Sequence, residues 1–186
     1  VLAGTSDVLL APANAGAQTS RFPGKAIELA LKDGKGSIPG EIAKSDGTTF
    51  NRYYKVFAIQ MEKGKIYRID YSARGDDAKF DPYLFLEDPK GVERESDDDS
   101  GGDLNARIIY KASETGVHRV IATTLPPKQT GEFNIEVRPA APAEAQFAEL
   151  KYRVRGFAGL PPAQRKNLVG QVEKFLRDRG ADLGLP

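Results

Sequence analysis

YYKVFAIQMEKGKIYRIDY, residues 53–71, holds two runs of β-forming residues on either side of Glu62-Lys63-Gly64-Lys65. In the second run Tyr67, Ile69 and Tyr71 share one face while Arg68 and Asp70 share the other, the period of two that marks a half-buried strand. The first run, 53–60, also reads as a strand, and the four residues between are a tight connection. The spacing therefore predicts a β-hairpin over 53–71.

The same reading extends outward in both directions. Upstream, the short run at 26–31 (AIELAL) is closed by Asp33-Gly34-Lys35-Gly36, and a run at 38–43 carries Pro39-Gly40, which places it at a sheet edge. Downstream, YLFLE at 83–87 ends in the turn Asp88-Pro89-Lys90-Gly91. Three more strands are expected at 106–112, 116–124 and 131–138, the last with Phe133, Ile135 and Val137 on one face. Strands at this spacing, with turns and no helical pattern between them, imply an all-β, antiparallel sandwich or barrel. A parallel sheet is excluded for want of crossover helices.

Composition agrees with one domain. The chain has 186 residues, 40% of them hydrophobic, enough for a single good core. Nineteen Gly and twelve Pro favour turn-rich β structure over a helical bundle. No apolar run approaches the roughly 20 residues that a membrane helix requires. The absence of Cys removes disulfides, thiolate metal sites and cysteine nucleophiles together, but says little about compartment. Residues 1–25 read as an irregular leader. Within it 8–15 has an A-x-A ending, but its apolar run is short and unpreceded by a basic residue, so a complete signal peptide is not expected.

Charge is distributed unevenly. Residues 76–103 carry 11 acidic and 3 basic side chains in a chain whose net charge is +1, and residues 138–186 carry 9 basic against 5 acidic. The negative charge culminates in DDDSGGD at 97–103, a glycine-rich turn with four carboxylates. Such a turn needs a cation or a great deal of water. A hard divalent ion such as Ca²⁺ takes six to eight oxygens. Asp97, Asp98, Asp99 and Asp103, with carbonyls of the turn and with Asp81 from a neighbouring strand end, are the candidate metal ligands. An EF-hand is excluded, because a loop starting at Asp97 puts Ile108 where a bidentate Glu is needed. The alternative is a solvated turn whose aspartates cap amides.

The tail differs from the rest. Residues 139–143 (PAAPA) read as a linker. Leu150, Tyr152 and Val154 alternate with Lys151, Arg153 and Arg155 as one more strand, and Pro161-Pro162 opens an amphipathic helix over 164–179, with Leu168, Val172, Phe175 and Leu176 in its stripe. That stripe requires a partner: the sandwich, another domain, or a second copy of the chain.

Taken in order, YKVFAIQMEKGKIYRIDY, FDPYLFLEDPKG, SDDDSGGDLNARIIYKASETGVHRVIAT and TGEFNIEVR resemble the bacterial pre-peptidase C-terminal domain, in the form common in planctomycete secreted proteins. The match runs from about residue 50 to 138, with 26–43 supplying the leading strands, and leaves the basic tail outside. Each motif alone is weak; the ordered set is fairly specific. The resemblance implies a jelly-roll-like β-sandwich over residues 26–138, carrying residues 139–186 as linker, extra strand and C-terminal α-helical appendage. It also implies a secreted, periplasmic or cell-surface location and a non-catalytic accessory role. Some relatives, among them the collagen-binding domains of clostridial collagenases, bind calcium and a macromolecular ligand.

Other chemistry is poorly supported. His118, the single histidine, sits in a strand with no partner in view and no G-x-S-x-G elbow in the chain, so a strand-face residue is expected rather than a catalytic base. Gly34-Lys35-Gly36-Ser37 lacks the spacing of a phosphate loop and reads as a hairpin turn. Tyr53, Tyr54, Tyr67, Tyr71 and Tyr83 would make a platform for a polysaccharide or an extracellular protein if several faced outward; more often such residues fill a core. A net charge of +1 argues against a dedicated nucleic-acid binder. The expectation is therefore a non-enzymatic, calcium-supported accessory domain acting through a secreted partner, adhesion or assembly, with self-association through the C-terminal helix as one route.

Overall fold

A computed structural model describes residues 20–75 and 79–181. Ten strands are followed by two helices: β1 (Ile27–Glu28), β2 (Gly36–Ile42), β3 (Gly47–Thr49), β4 (Arg52–Met61), β5 (Ile66–Ala73), β6 (Pro82–Glu87), β7 (Glu93–Asp97), β8 (Ala106–Lys111), β9 (Gly116–Thr124), β10 (Gly131–Pro139), α1 (Pro142–Arg155) and α2 (Pro162–Arg179). One sheet has the order β1-β4-β9-β6-β7, with β3 on β4, and the other β2-β10-β5-β8. The inward rows of the two sheets meet in one core. Phe57, Ile59, Met61, Leu84, Leu86 and Val120 come from the first sheet; Tyr67, Ile69, Tyr71, Ile108, Phe133, Ile135 and Val137 come from the second. The alternation expected for β5 and β10 is observed.

The hairpin expected over 53–71 is not formed. β4 pairs with β9 and β3, whereas β5 pairs with β10 and β8 in the opposite sheet. The turn at 62–65 closes on itself through Lys65 N–H to the Glu62 carbonyl (3.1 Å), but Gly64 N–H donates to Ala112 beyond the end of β8 (2.8 Å). Burial is the physical reason. The apolar rows of β4 and β5 face each other across the core, and a hairpin would have set both on one face of one sheet. The tight hairpins between successive strands are β3–β4 and β6–β7.

Two further expectations are revised and one is refined. β1 and β4 pair in parallel over two residues; the chain returns through β2 in the other sheet, so no crossover helix is needed. Residues 20–25 of the expected leader form no helix or strand, but they pack on the sandwich. Phe22 is buried with Tyr54, Val56 and Ile121 on the outer face of the first sheet, and Pro23 accepts from the Tyr54 hydroxyl (2.5 Å). Residues 1–19 lie outside the described residues. Finally, the strand expected around 150–155 is the end of α1. Pro142 opens this helix, and Glu144 reaches back to accept the Ala141 N–H (2.6 Å). β2, with its Pro39, is the edge strand that the sequence predicts.

α1 lies against β8 and β5 and reaches Glu95 on β7, so it spans the open side where the edges of the two sheets adjoin. α2 packs chiefly on α1: its Leu168, Val172 and Phe175 meet Phe147 and Leu150, which answers where the apolar stripe docks. Among the described residues no helix is long and apolar enough to cross a membrane.

Candidate functional site

The acidic loop carries the chain from β7 in the first sheet to β8 in the second. Asp97 organises it. One carboxylate oxygen accepts the N–H groups of Ser100 (3.1 Å) and Arg107 (2.7 Å), and the other accepts the Ser100 hydroxyl (2.5 Å). Gly101 N–H donates to the Asn105 carbonyl (2.7 Å) so closely that a Cβ on Gly101 would stand 2.4 Å from that oxygen. The next turn places Asp103 in the left-handed region (φ 52°). Arg107 fills the concave side. Its Nη1 and Nη2 donate to the carbonyls of Ser100 (3.2 Å) and Gly101 (3.1 Å), and its Nε to Asp70 (2.7 Å). A guanidinium thus occupies carbonyl oxygens that the sequence offered to a metal ion.

The candidate ligands divide accordingly. Asp97 is engaged with amides and a hydroxyl, and Asp103 is exposed at the loop's far turn. Asp81, at the start of β6, is raised above its ordinary pKa by burial and by the charges of Asp99 and Asp98, which Arg52 only partly offsets. One oxygen of Asp81 is buried without a hydrogen-bond partner. A carboxylate that is short of donors and close to two others is a place where positive charge is missing. Among the described residues, however, no three His, Asp or Glu side chains converge closely enough to form a ready metal centre.

Away from the loop, arginines hold α1 in place. Glu144, 5% exposed, accepts from Arg68 of β5 (2.5 Å) and Arg138 of β10 (2.7 Å). Burial alone would raise its pKa, but Arg138, Arg68 and the Ala141 N–H outweigh this and lower it to about 2. Further along the helix Lys151 and Arg155 both bind Glu95 (2.7 Å each), and Lys111 of β8 binds Glu149 (2.5 Å). The sequence gives little sign of this seam because, Arg138–Glu144 apart, its pairs join residues 38 to 76 positions from each other.

The remaining candidates settle into structural roles. His118 is fully buried and donates from Nδ1 to the Gly116 carbonyl (3.1 Å), and burial pushes its pKa below the ordinary value. The turn expected at 34–37 is formed two residues earlier, at 32–35, with Asp33 and Gly34 at φ 52° and 77°, and Gly36 and Ser37 already belong to β2. Of the five tyrosines, Tyr54, Tyr67 and Tyr71 are buried while Tyr53 and Tyr83 are half-buried, so the five do not make one exposed platform. The exposed aromatics are instead Phe50, at the β3–β4 turn, and Tyr152 on α1.

No protein-family model matches the sequence. No curated protein matches it either. Among solved structures, the chain is similar to the pre-peptidase C-terminal domain of a Bacillus anthracis collagenase, at 12% identity and a TM-score of 0.46 over 62% of this chain and 97% of that one. It is also similar to the Aeromonas hydrophila periplasmic inhibitor of g-type lysozyme, at 9% identity and a TM-score of 0.42 over 62% of this chain and 96% of that one.

Proposed function

We propose that this chain is a non-catalytic accessory domain that acts outside the cytoplasm by supporting or engaging a partner protein, with a calcium-responsive corner at Asp81, Asp98 and Asp99. One observation carries the non-catalytic reading: the buried carboxylates of the described residues, Glu87, Asp88, Glu95 and Glu144, are all committed to ion pairs that hold the fold together. Glu87 binds Arg119, Asp88 binds Arg94, Glu95 binds Lys151 and Arg155, Glu144 binds Arg68 and Arg138, and His118 is held by a backbone carbonyl. A general base or nucleophile must reach a substrate. The location outside the cytoplasm rests on the ordered strand motifs of residues 50–138 and on the jelly-roll-like fold that they imply.

A screen of peptide, ester and glycoside substrates is expected to give no turnover. Activity that His118→Ala abolishes would overturn the non-catalytic reading. The corner is tested by thermal melting. Because the pKa of Asp81 is raised in the folded state, its stabilising contribution is full at acid pH and is lost as the pH rises through that raised value. At neutral pH without divalent ions, Asp81→Asn is therefore expected to raise the Tm. Millimolar calcium is expected to raise the Tm of the unaltered chain and leave that of the variant unchanged. A Tm of the unaltered chain that calcium does not move would remove the ion from the proposal.

A further inference from the structure

We propose that the Lys151–Arg155 ridge of α1 is a docking site for an acidic segment of a partner protein, one that carries a carboxylate beside an apolar side chain. The proposal rests on the partner-binding role above and names where the partner sits and what recognises it. Lys151 and Arg155 are one turn apart on α1 and divide two hollows. On one side is a hollow of about 290 Å³ between the helix and strands β7 and β8, reached by Arg94, Lys111 and the exposed Tyr152. On the other is a hollow of about 310 Å³ between α1 and α2, walled by Phe147, Leu150, Val154, Val172, Phe175 and Leu176.

The charges on the ridge do not balance. Arg94 is matched by Asp88, whose side chain is fully buried, and Lys111 by Glu149. Lys151 and Arg155 share one carboxylate: Nζ of Lys151 meets one oxygen of Glu95 and Nη2 of Arg155 meets the other. Two cations on one anion leave a unit of positive charge, and both side chains are open to solvent, at 37% and 48%. A guest carboxylate can therefore join them without displacing Glu95. Each hollow lies at the small end of ligand-site volumes and admits a side chain rather than a folded surface.

The apolar hollow decides the class of guest. Val154 and Leu176 are 45% and 40% exposed at its mouth. An acidic sugar would satisfy the cations but has no aliphatic side chain to place there. A peptide crossing the ridge fills both sides at once, in the manner of helix-face recognition by charged and apolar anchors together.

The test titrates the full chain, labelled with ¹⁵N, with the capped peptide acetyl-Leu-Glu-Glu-Leu-Phe-amide. Saturable, salt-weakened shifts are expected at Ala148, Lys151, Tyr152, Arg155 and Leu176. The Gln-for-Glu peptide is expected to bind about tenfold more weakly. Lys151→Met with Arg155→Met is expected to abolish the difference between the two peptides. Glu95→Gln, which frees the two cations, is expected to tighten binding about twofold to fivefold, a gain that a misfolded variant cannot show. Shifts confined to other surfaces, equal binding of the neutral peptide, or equal shifts from oligogalacturonate would overturn the proposal. So would a dimer, seen by light scattering, that occupies the same face without peptide. The mass of the recovered peptide separates the two levels of the argument: cleavage counts against the non-catalytic role, whereas intact peptide with no shifts counts against this site alone.

Discussion

Glu144 takes donors from three places in the chain, and this gives one carboxylate control over the seat of α1. Its pKa falls from the ordinary 4.5 to about 2, which corresponds to about 3 kcal/mol in favour of the folded state. Because the folded-state value is depressed, that contribution is complete above the ordinary carboxylate range and is lost as the pH falls from about 4.5 through about 2. Glu144→Gln is expected to cost roughly 2–3 kcal/mol at pH 7 and to flatten the acid limb of the stability profile, measured by urea unfolding between pH 2 and 7. An acid limb unchanged in the variant would show that the ion pairs are not coupled to folding. At this scale the sequence reveals local chemistry only. Asp97 is legible as a turn former because its amide partner Ser100 is three residues away. That Arg107 would enter the same turn depends on a path through two sheets, and no spacing rule reports it.

Among the elements, α2 depends most on its neighbour, since its buried side chains meet α1 far more than they meet the strands. Leu168, 1% exposed, is central to that contact. Leu168→Ala is expected to cost about 2–5 kcal/mol locally, so that amides of α2 lose hydrogen-exchange protection while those of β4, β9 and β10 keep theirs. Equal loss in the strands would mean that helices and sandwich unfold as one unit. The helix α2 is legible because its apolar residues recur at helical spacing after Pro161-Pro162. The end of α1 is misread for the opposite reason. Leu150, Tyr152 and Val154 alternate like a strand, yet Tyr152 and Val154 are exposed and the buried row is Glu144, Ala148 and Leu150. Polar residues that enter the buried face as ion-pair partners erase the apolar period from which a helix is read. The strands themselves follow the sequence closely, because each has a face whose burial needs no partner of special chemistry. The missed strands β3 and β7 are short and polar, without the apolar alternation from which a strand is read.

For the whole molecule, the uneven charge along the chain becomes an arrangement in space. The acidic middle forms the β6–β7 hairpin and the loop after it, and the basic tail folds back as α1 to set Lys151 and Arg155 on Glu95. Composition shows the two blocks; only the fold shows that they meet. The same holds for 53–71, whose two strands are plain in the sequence but whose division between sheets is a property of the core they jointly enclose. The side where β7 and β8 leave the sandwich open is thus closed by the segment that the family resemblance leaves out. Arg107 gives the acidic loop one further property. Its charge is tethered to the backbone, so its effective concentration at the loop carbonyls is set by geometry and does not fall when the surrounding medium is diluted or chelated. The loop thus carries a resident counter-ion at its Ser100 and Gly101 carbonyls, which leaves only the side facing Asp81 for an ion from outside.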